Sequence, residues 1–130
     1  MTNSPHSELL AFAALSAAFV VKQFVADFPL QSYWMARGKE RAKGFLAPLF
    51  AHAGVHGVMS GLIALLFLPS LWWVGGADFL IHFATDFGKS SIGRRTKWTP
   101  ADGAFWTLFG FDQLLHHLTG LGIAFTLATA

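Results

Sequence analysis

Apolar residues fall into four runs along the chain, separated by connections that are polar or broken by proline. The first extends from about Leu9 to Phe28 and stops at Pro29, and the second from Phe45 to Leu68 and stops at Pro69. The third covers about Leu71 to Phe87 and the fourth about Gly103 to Ala128. Each is close to the roughly 20 residues with which a helix crosses about 30 Å of hydrocarbon. None alternates with period two, and backbone groups in lipid must be satisfied within their own segment, so helices are expected rather than strands. The third run is the most polar, because it carries Asp78, His82 and Asp86. Four helices with short connections predict an all-α, up-down-up-down four-helix bundle, a single transmembrane domain over residues 1–130.

Composition points the same way. Of 130 residues, 54% are hydrophobic and 12% charged, against about 25% charged in an average soluble domain. The mean hydropathy is +0.50. Seven acids and nine bases cannot coat a water-soluble globule of this size, which excludes an ordinary cytosolic domain, a disordered tail and a coiled coil. The absence of cysteine excludes a disulfide scaffold, a thiolate zinc site, an iron–sulfur cluster and a cysteine nucleophile. A net charge of +2 is too mild to imply nucleic acid. The opening MTNSPHSE has no Lys or Arg, so the first run is read as a retained helix rather than a signal peptide.

The positions of the bases give a direction. The first connection holds Arg37, Lys39, Arg41 and Lys43, and the third Lys89, Arg94, Arg95 and Lys97. The second connection, around Pro69 to Gly76, holds none. The positive-inside rule therefore puts connections one and three in the cytoplasm, and connection two and both termini outside. Trp72 and Trp73 mark the outer interface; Tyr33, Trp34 and Trp98 mark the inner one.

Ionisable groups within spans are expensive and face a bundle interior or an aqueous cavity. Here they recur at i,i+4 spacing, one turn apart on one helix face: Gln23 and Asp27, His52 and His56, His82 and Asp86, Asp112 and His116. In the predicted topology these pairs meet in one layer between the bundle centre and the cytoplasmic surface, with Asp112 about 13 Å along the fourth helix. Asp78 fits that layer least well, and it and Lys22 are read as snorkelling or interfacial groups. His and Asp without Cys suit a divalent metal such as zinc, manganese or iron. His52, His56, His82, Asp86, Asp112 and His116 are the candidate ligands, Asp27 a further ligand or general base, and Lys89 the group that neutralises charge. Arg94 and Arg95 would lie with Lys89 at the mouth. The same side chains could instead only hydrogen-bond across helices as structural locks. The glycines around Gly54, Gly57 and Gly61 are expected to permit close helix contact.

In order, Asp27-Phe28-Pro29-Leu30-Gln31, then Lys39, His52, His82 with Asp86 and Lys89, and Asp112-Gln113-Leu114-Leu115-His116 form a pattern covering nearly the whole chain. It resembles an uncharacterised family of small bacterial multipass membrane proteins, a domain of unknown function. The resemblance implies placement in the bacterial inner membrane and a shared site. It adds Gln31, Lys39 and Gln113 to that site as ligand-holding residues, but implies no reaction.

Three functions compete. The first is a metal-dependent hydrolase acting on an anionic, lipid-linked phosphate from the surrounding membrane lipid. The second is a proton- or metal-ion-conducting transporter or channel subunit, which with four helices requires a homo-oligomer. The third is a haem-binding or purely structural membrane subunit. The hydrolase is ranked first.

Overall fold

The computed structural model describes residues 4–130; residues 1–3 of the expected 1–130 domain lie outside the described residues. It is all-α. Four long helices, α1 (Pro5–Asp27), α3 (Leu46–Phe67), α4 (Val74–Thr96) and α5 (Gly103–Thr129), are joined by a six-residue helix α2 (Tyr33–Gly38) and a 3-10 turn at Pro69–Leu71. Local chemistry sets the ends. Ser4 accepts a hydrogen bond from the Ser7 N–H with Pro5 at the first helical position, and Ser32 accepts one from the Met35 N–H to start α2. Pro69 follows the end of α3, where a missing N–H and a fixed φ disfavour continuation. Asp102 precedes α5 and accepts from the Thr99 N–H and hydroxyl at 2.7 and 3.0 Å, bonds that hold its carboxyl below the usual carboxylate range.

The long helices pack in a square. α3 lies against α4, α4 against α5, and α5 against α1, while α1 also touches α3. Side-chain contacts make each neighbouring pair antiparallel: Phe12 meets Phe125 and Phe19 meets Gly120, Phe50 meets Phe79, and Lys89 meets Asp112. The bundle is therefore up-down-up-down. Two differences from the sequence reading stand out. The third helix is not confined to 71–87 but continues to Thr96, so Lys89, Arg94 and Arg95 sit on helical turns instead of a loop. Only α1 and α3, not all four helices, are long and apolar enough to cross a membrane by length and composition, because α4 and α5 carry more polar side chains on their inner faces.

Antiparallel packing divides the interior into two halves. One is apolar: Leu15 and Phe19 of α1, Ala64 of α3, Val74 of α4, and Ile123, Ala124, Leu127 and Ala128 of α5 form a continuous core. The other half buries histidine and aspartate. Between them lies an ion pair. Lys22 Nζ is 2.7 Å from Asp78 Oδ2, both residues are at most 4% exposed, and the Ser60 hydroxyl donates to the same oxygen at 2.5 Å. This corrects the expectation that Lys22 and Asp78 snorkel: they lie on diagonally opposed helices at one depth, so the lysine stem reaches across the bundle and not out of it.

The polar half depends on the close approach of α3 and α4. A methyl group at Gly75 would sit 2.6 Å from the Gly57 carbonyl oxygen, and one at Gly57 would sit 2.8 Å from Gly75 O. Gly54 meets nothing within 4 Å and is not part of this contact. Gly75→Ala is expected to force the helices apart and cost about 1–3 kcal/mol, read as a lowered midpoint of thermal unfolding. Lys22→Met strands Asp78 and is expected to cost about 3–5 kcal/mol, while Lys22→Met with Asp78→Leu recovers most of it. A double variant no more stable than the single one would contradict the pairing.

Candidate metal centre

The buried faces of α3 and α4 recur every fourth residue: His52, His56, Ser60 and Ala64 on one, and Val74, Asp78, His82, Asp86 and Ser90 on the other. Residues four apart stack one turn above another, and because the two helices run in opposite directions the His52–His56 pair faces His82. α5 brings Asp112 and His116 to the same level, and α1 brings Gln23 and Asp27 near its end. His52, His56, His82, Asp86, Asp112 and His116 are each no more than 5% exposed.

Two groupings result. In the first, Asp27, His52, His56 and His82 each offer an atom, all within 4.8 Å of one another. His56 Nε2 is 3.1 Å and His52 Nε2 3.4 Å from Asp27 Oδ1, and the Nε2 atoms of His52 and His82 are 3.3 Å apart. These three separations are close to the edge, about 3.3 Å, of a tetrahedron whose vertices lie ~2.0–2.1 Å from its centre, the distance at which imidazole nitrogen and carboxylate oxygen bind zinc; the other three pairs lie within 4.8 Å. In the second, His82, Asp86 and His116 come together. Asp86 Oδ1 is 3.0 Å from His116 Nε2 and 3.9 Å from His82 Nε2. His82 belongs to both, and its ring stacks between those of His56 and His116 at centroid distances of 3.6 and 3.9 Å. This His/Asp cluster could hold a metal ion.

Both carboxylates are oriented alike. The Gln23 side-chain amide donates to Asp27 Oδ2 at 2.8 Å, and Lys39 Nζ donates to Asp86 Oδ2 at 2.7 Å. In each case the other oxygen, Oδ1, turns to the imidazoles. Partners of this kind fix ligand geometry in metal sites. Lys39 arrives just beyond α2, which is seated on α3 by contact of Gly38 with Pro48; a methyl at Gly38 would lie 2.5 Å from the Pro48 ring. The outward ring nitrogens Nδ1 of His52 and His56 are buried without a partner, so each ring directs its polar contacts through Nε2.

A cavity of about 250 Å³ opens beside the cluster, bounded by Asp27, His52, Asp86, Asp112 and His116 with Lys39 and Lys89. Asp112 lies outside both groupings. Its Oδ1 is 3.3 Å from His116 Nε2 without making a hydrogen bond, and its Oδ2 is 3.9 Å from Lys89. Gln31 donates to the Asp27 backbone carbonyl at 2.6 Å and Gln113 to Asp112 Oδ2 at 3.2 Å, which puts both on the rim. His117 is exposed, with Nδ1 2.7 Å from the Gln113 carbonyl oxygen, and does not enter the cluster. The sequence reading did not single out Glu40, which lies 3.4 Å from Lys89 Nζ. It belongs to the basic connection, and only the folding of α2 onto α3 brings it to the cavity.

Comparison with known proteins gives one match. The family model DUF3307, described as a protein of unknown function, matches residues 15–129. No curated protein and no solved structure matches the chain.

Proposed function

The chain belongs to the DUF3307 family of proteins of unknown function, and from that premise we propose an integral membrane protein that binds a divalent metal ion and hydrolyses a lipid-linked phosphate. The observation that carries the metal reading is the buried set of three imidazoles and one carboxylate whose ligand atoms all lie within 4.8 Å of one another.

The membrane reading rests on an inverted distribution of polarity. Among the described residues, the buried side chains that are polar or charged, Lys22, Asp78, Asp86 and Asp112 among them, are as many as the apolar ones, whereas a water-soluble bundle buries few charges. The outer faces carry Val20, Phe24, Phe50, Leu62, Leu80, Ile81, Phe111 and Phe125, all exposed. Lipid satisfies such a surface and water does not. Charged and aromatic positions sort by end: Arg37, Arg41, Lys43, Arg94, Arg95 and Lys97 at one, Trp72 and Trp73 at the other. The basic end is accordingly cytoplasmic, in a bacterial inner membrane.

Zinc, manganese and iron all accept nitrogen-rich sites without sulfur. Four protein ligands would close a tetrahedral zinc, whereas an ion of higher coordination keeps positions for water and substrate. The ion supplies Lewis acidity toward a phosphoryl oxygen. The protein does the rest. Asp27, His52, His56 and His82 hold the ion. Asp112, with an oxygen that makes no hydrogen bond at the cavity wall, takes a proton from water as the water oxygen bonds to phosphorus, and passes it to the departing lipid alkoxide as the ester P–O bond breaks. Lys89 offsets the charge that develops on the phosphoryl oxygens. The apolar half of the interior favours hydrolysis over conduction, since none of its core side chains is ionisable.

Elemental analysis of protein purified without chelator tests this. One divalent ion per chain is expected, lost in His82→Ala, while Gln23→Leu should weaken affinity about 10–100-fold by freeing the Asp27 carboxylate. Wild-type protein without stoichiometric metal, or His82→Ala that retains it, would overturn the metal reading. Metal without release of phosphate from any lipid phosphate would overturn the hydrolase.

A further inference from the structure

A second cavity, about 490 Å³, lies at the basic end where α2, the last turns of α4 and the first turns of α5 meet. Its charged lining is three bases, Arg37, Lys89 and Arg94, and one acid, Glu40; Trp98 and Phe105 add aromatic walls. Arg94 is held firmly. One of its terminal nitrogens donates to the Ser91 hydroxyl at 3.1 Å, and its guanidinium lies over the Phe45 ring, 4.9 Å from the centroid. The other terminal nitrogen, Nη1, is buried and donates to nothing. A fixed guanidinium with a spare buried donor, beside two further cations, suits the oxygens of a phosphate.

From Lys89 a third cavity, about 340 Å³, follows the seam between α4 and α5. Its walls are mostly apolar, including Ala84, Gly88, Ile92, Leu108, Phe111 and Leu115. Lys89 borders this groove, the basic cavity and the His/Asp cavity alike. A cationic cavity joined to an apolar seam has the polarity of an anionic amphiphile: a charged head at one end and a hydrocarbon chain at the other.

We propose that the α4–α5 seam is the binding site of a phosphate-bearing lipid, with its phosphate on Arg94, Arg37 and Lys89 and its chain between Gly88 and Phe111. This rests on the membrane reading above and names the side from which substrate reaches the His/Asp cluster, but it does not require a bound metal. Free phosphate would use the same three bases and leave the seam empty. Gly88 separates the two sources, because apart from its chain neighbours and its own helix backbone nothing lies within 4 Å of a Cβ built there. A leucine at that position adds bulk to the seam and leaves all three bases in the chain.

The test uses the full chain in neutral detergent, with phosphatidic acid, phosphatidylcholine and inorganic phosphate as probes, and measures retained lipid and metal content in the same samples. Wild-type protein is expected to retain phosphatidic acid over phosphatidylcholine. Arg94→Gln should lower that retention about tenfold, the loss of one charged hydrogen bond, and leave metal content unchanged. Arg37→Gln should act in the same direction, and Gly88→Leu should weaken the lipid alone. Retention unaffected by Arg94→Gln and Arg37→Gln would overturn the proposal. So would inorganic phosphate that displaces the lipid with Gly88→Leu having no effect, the signature of free phosphate. Lipid retention that follows the expected pattern in protein without metal would sustain this site and remove the metal centre.

Discussion

Polar groups taken out of water must find their partners in one another, and the arrangement of this bundle follows from that requirement. Asp27 and Asp86 each use one oxygen to accept from Gln23 or Lys39 and turn the other toward imidazoles. An isolated carboxylate in such a setting would cost several kcal/mol. Paired this way, the carboxylates are compensated and also immobilised, so their ligand atoms are in place before anything binds. The compensation is incomplete, since Nδ1 of His52 and of His56 has no partner. A buried polar group left unpaired costs about 1–3 kcal/mol. A purely structural lock would gain nothing by keeping two such groups, which weighs toward a function for the cluster.

Stability resides mainly at the other end. Antiparallel topology puts the start of α1, the end of α3, the start of α4 and the end of α5 together, and there the core is apolar without interruption. The Lys22–Asp78 pair, joined by Ser60, forms the boundary. One half thus anchors four helices with ordinary packing, and the other holds polar chemistry that packing alone would not favour. The polar half is also the half whose cavities open toward the basic end.

Much of this could be read from spacing. Pairs four residues apart on four amphipathic segments, with connections too short for any topology but antiparallel, bring Asp27, His52, His82, Asp86 and His116 to one depth; period and chain length suffice. What escaped the sequence involves long side chains and helix ends. Lys39 sits among loop bases, and only the resemblance put it in the site; spacing did not show that α2 folds against Pro48 and delivers it to Asp86. Lys22 could snorkel or cross the bundle with equal ease, and only the position of Asp78 on the opposite helix decides. The extension of α4 to Thr96 was hidden because hydropathy falls after Phe87 while helical hydrogen bonding does not. His117 adjoins a buried histidine in sequence but points about 100° away around a helix of 3.6 residues per turn, which its exposure reflects.

Charge gives the two cavities an order. The inner cavity gathers Asp27, Glu40, Asp86 and Asp112 against Lys39 and Lys89, an excess of acids over bases with the histidines neutral, and so does not attract phosphate. A divalent cation on the imidazoles would cancel that excess. The outer cavity, with three bases to one acid, is positive either way. An anionic headgroup would therefore rest on Arg94 and Arg37, and an ion on the cluster would remove the repulsion that keeps it from passing Lys89. His82 bears on the same step. A single Nε2 lone pair cannot serve two ions, yet this atom stands 3.3 Å from His52 Nε2 and 3.9 Å from Asp86 Oδ1. One ion per chain therefore uses His82 in one grouping alone, and an ion held by His82, Asp86 and His116 would have three protein ligands and keep a position for water or a phosphoryl oxygen.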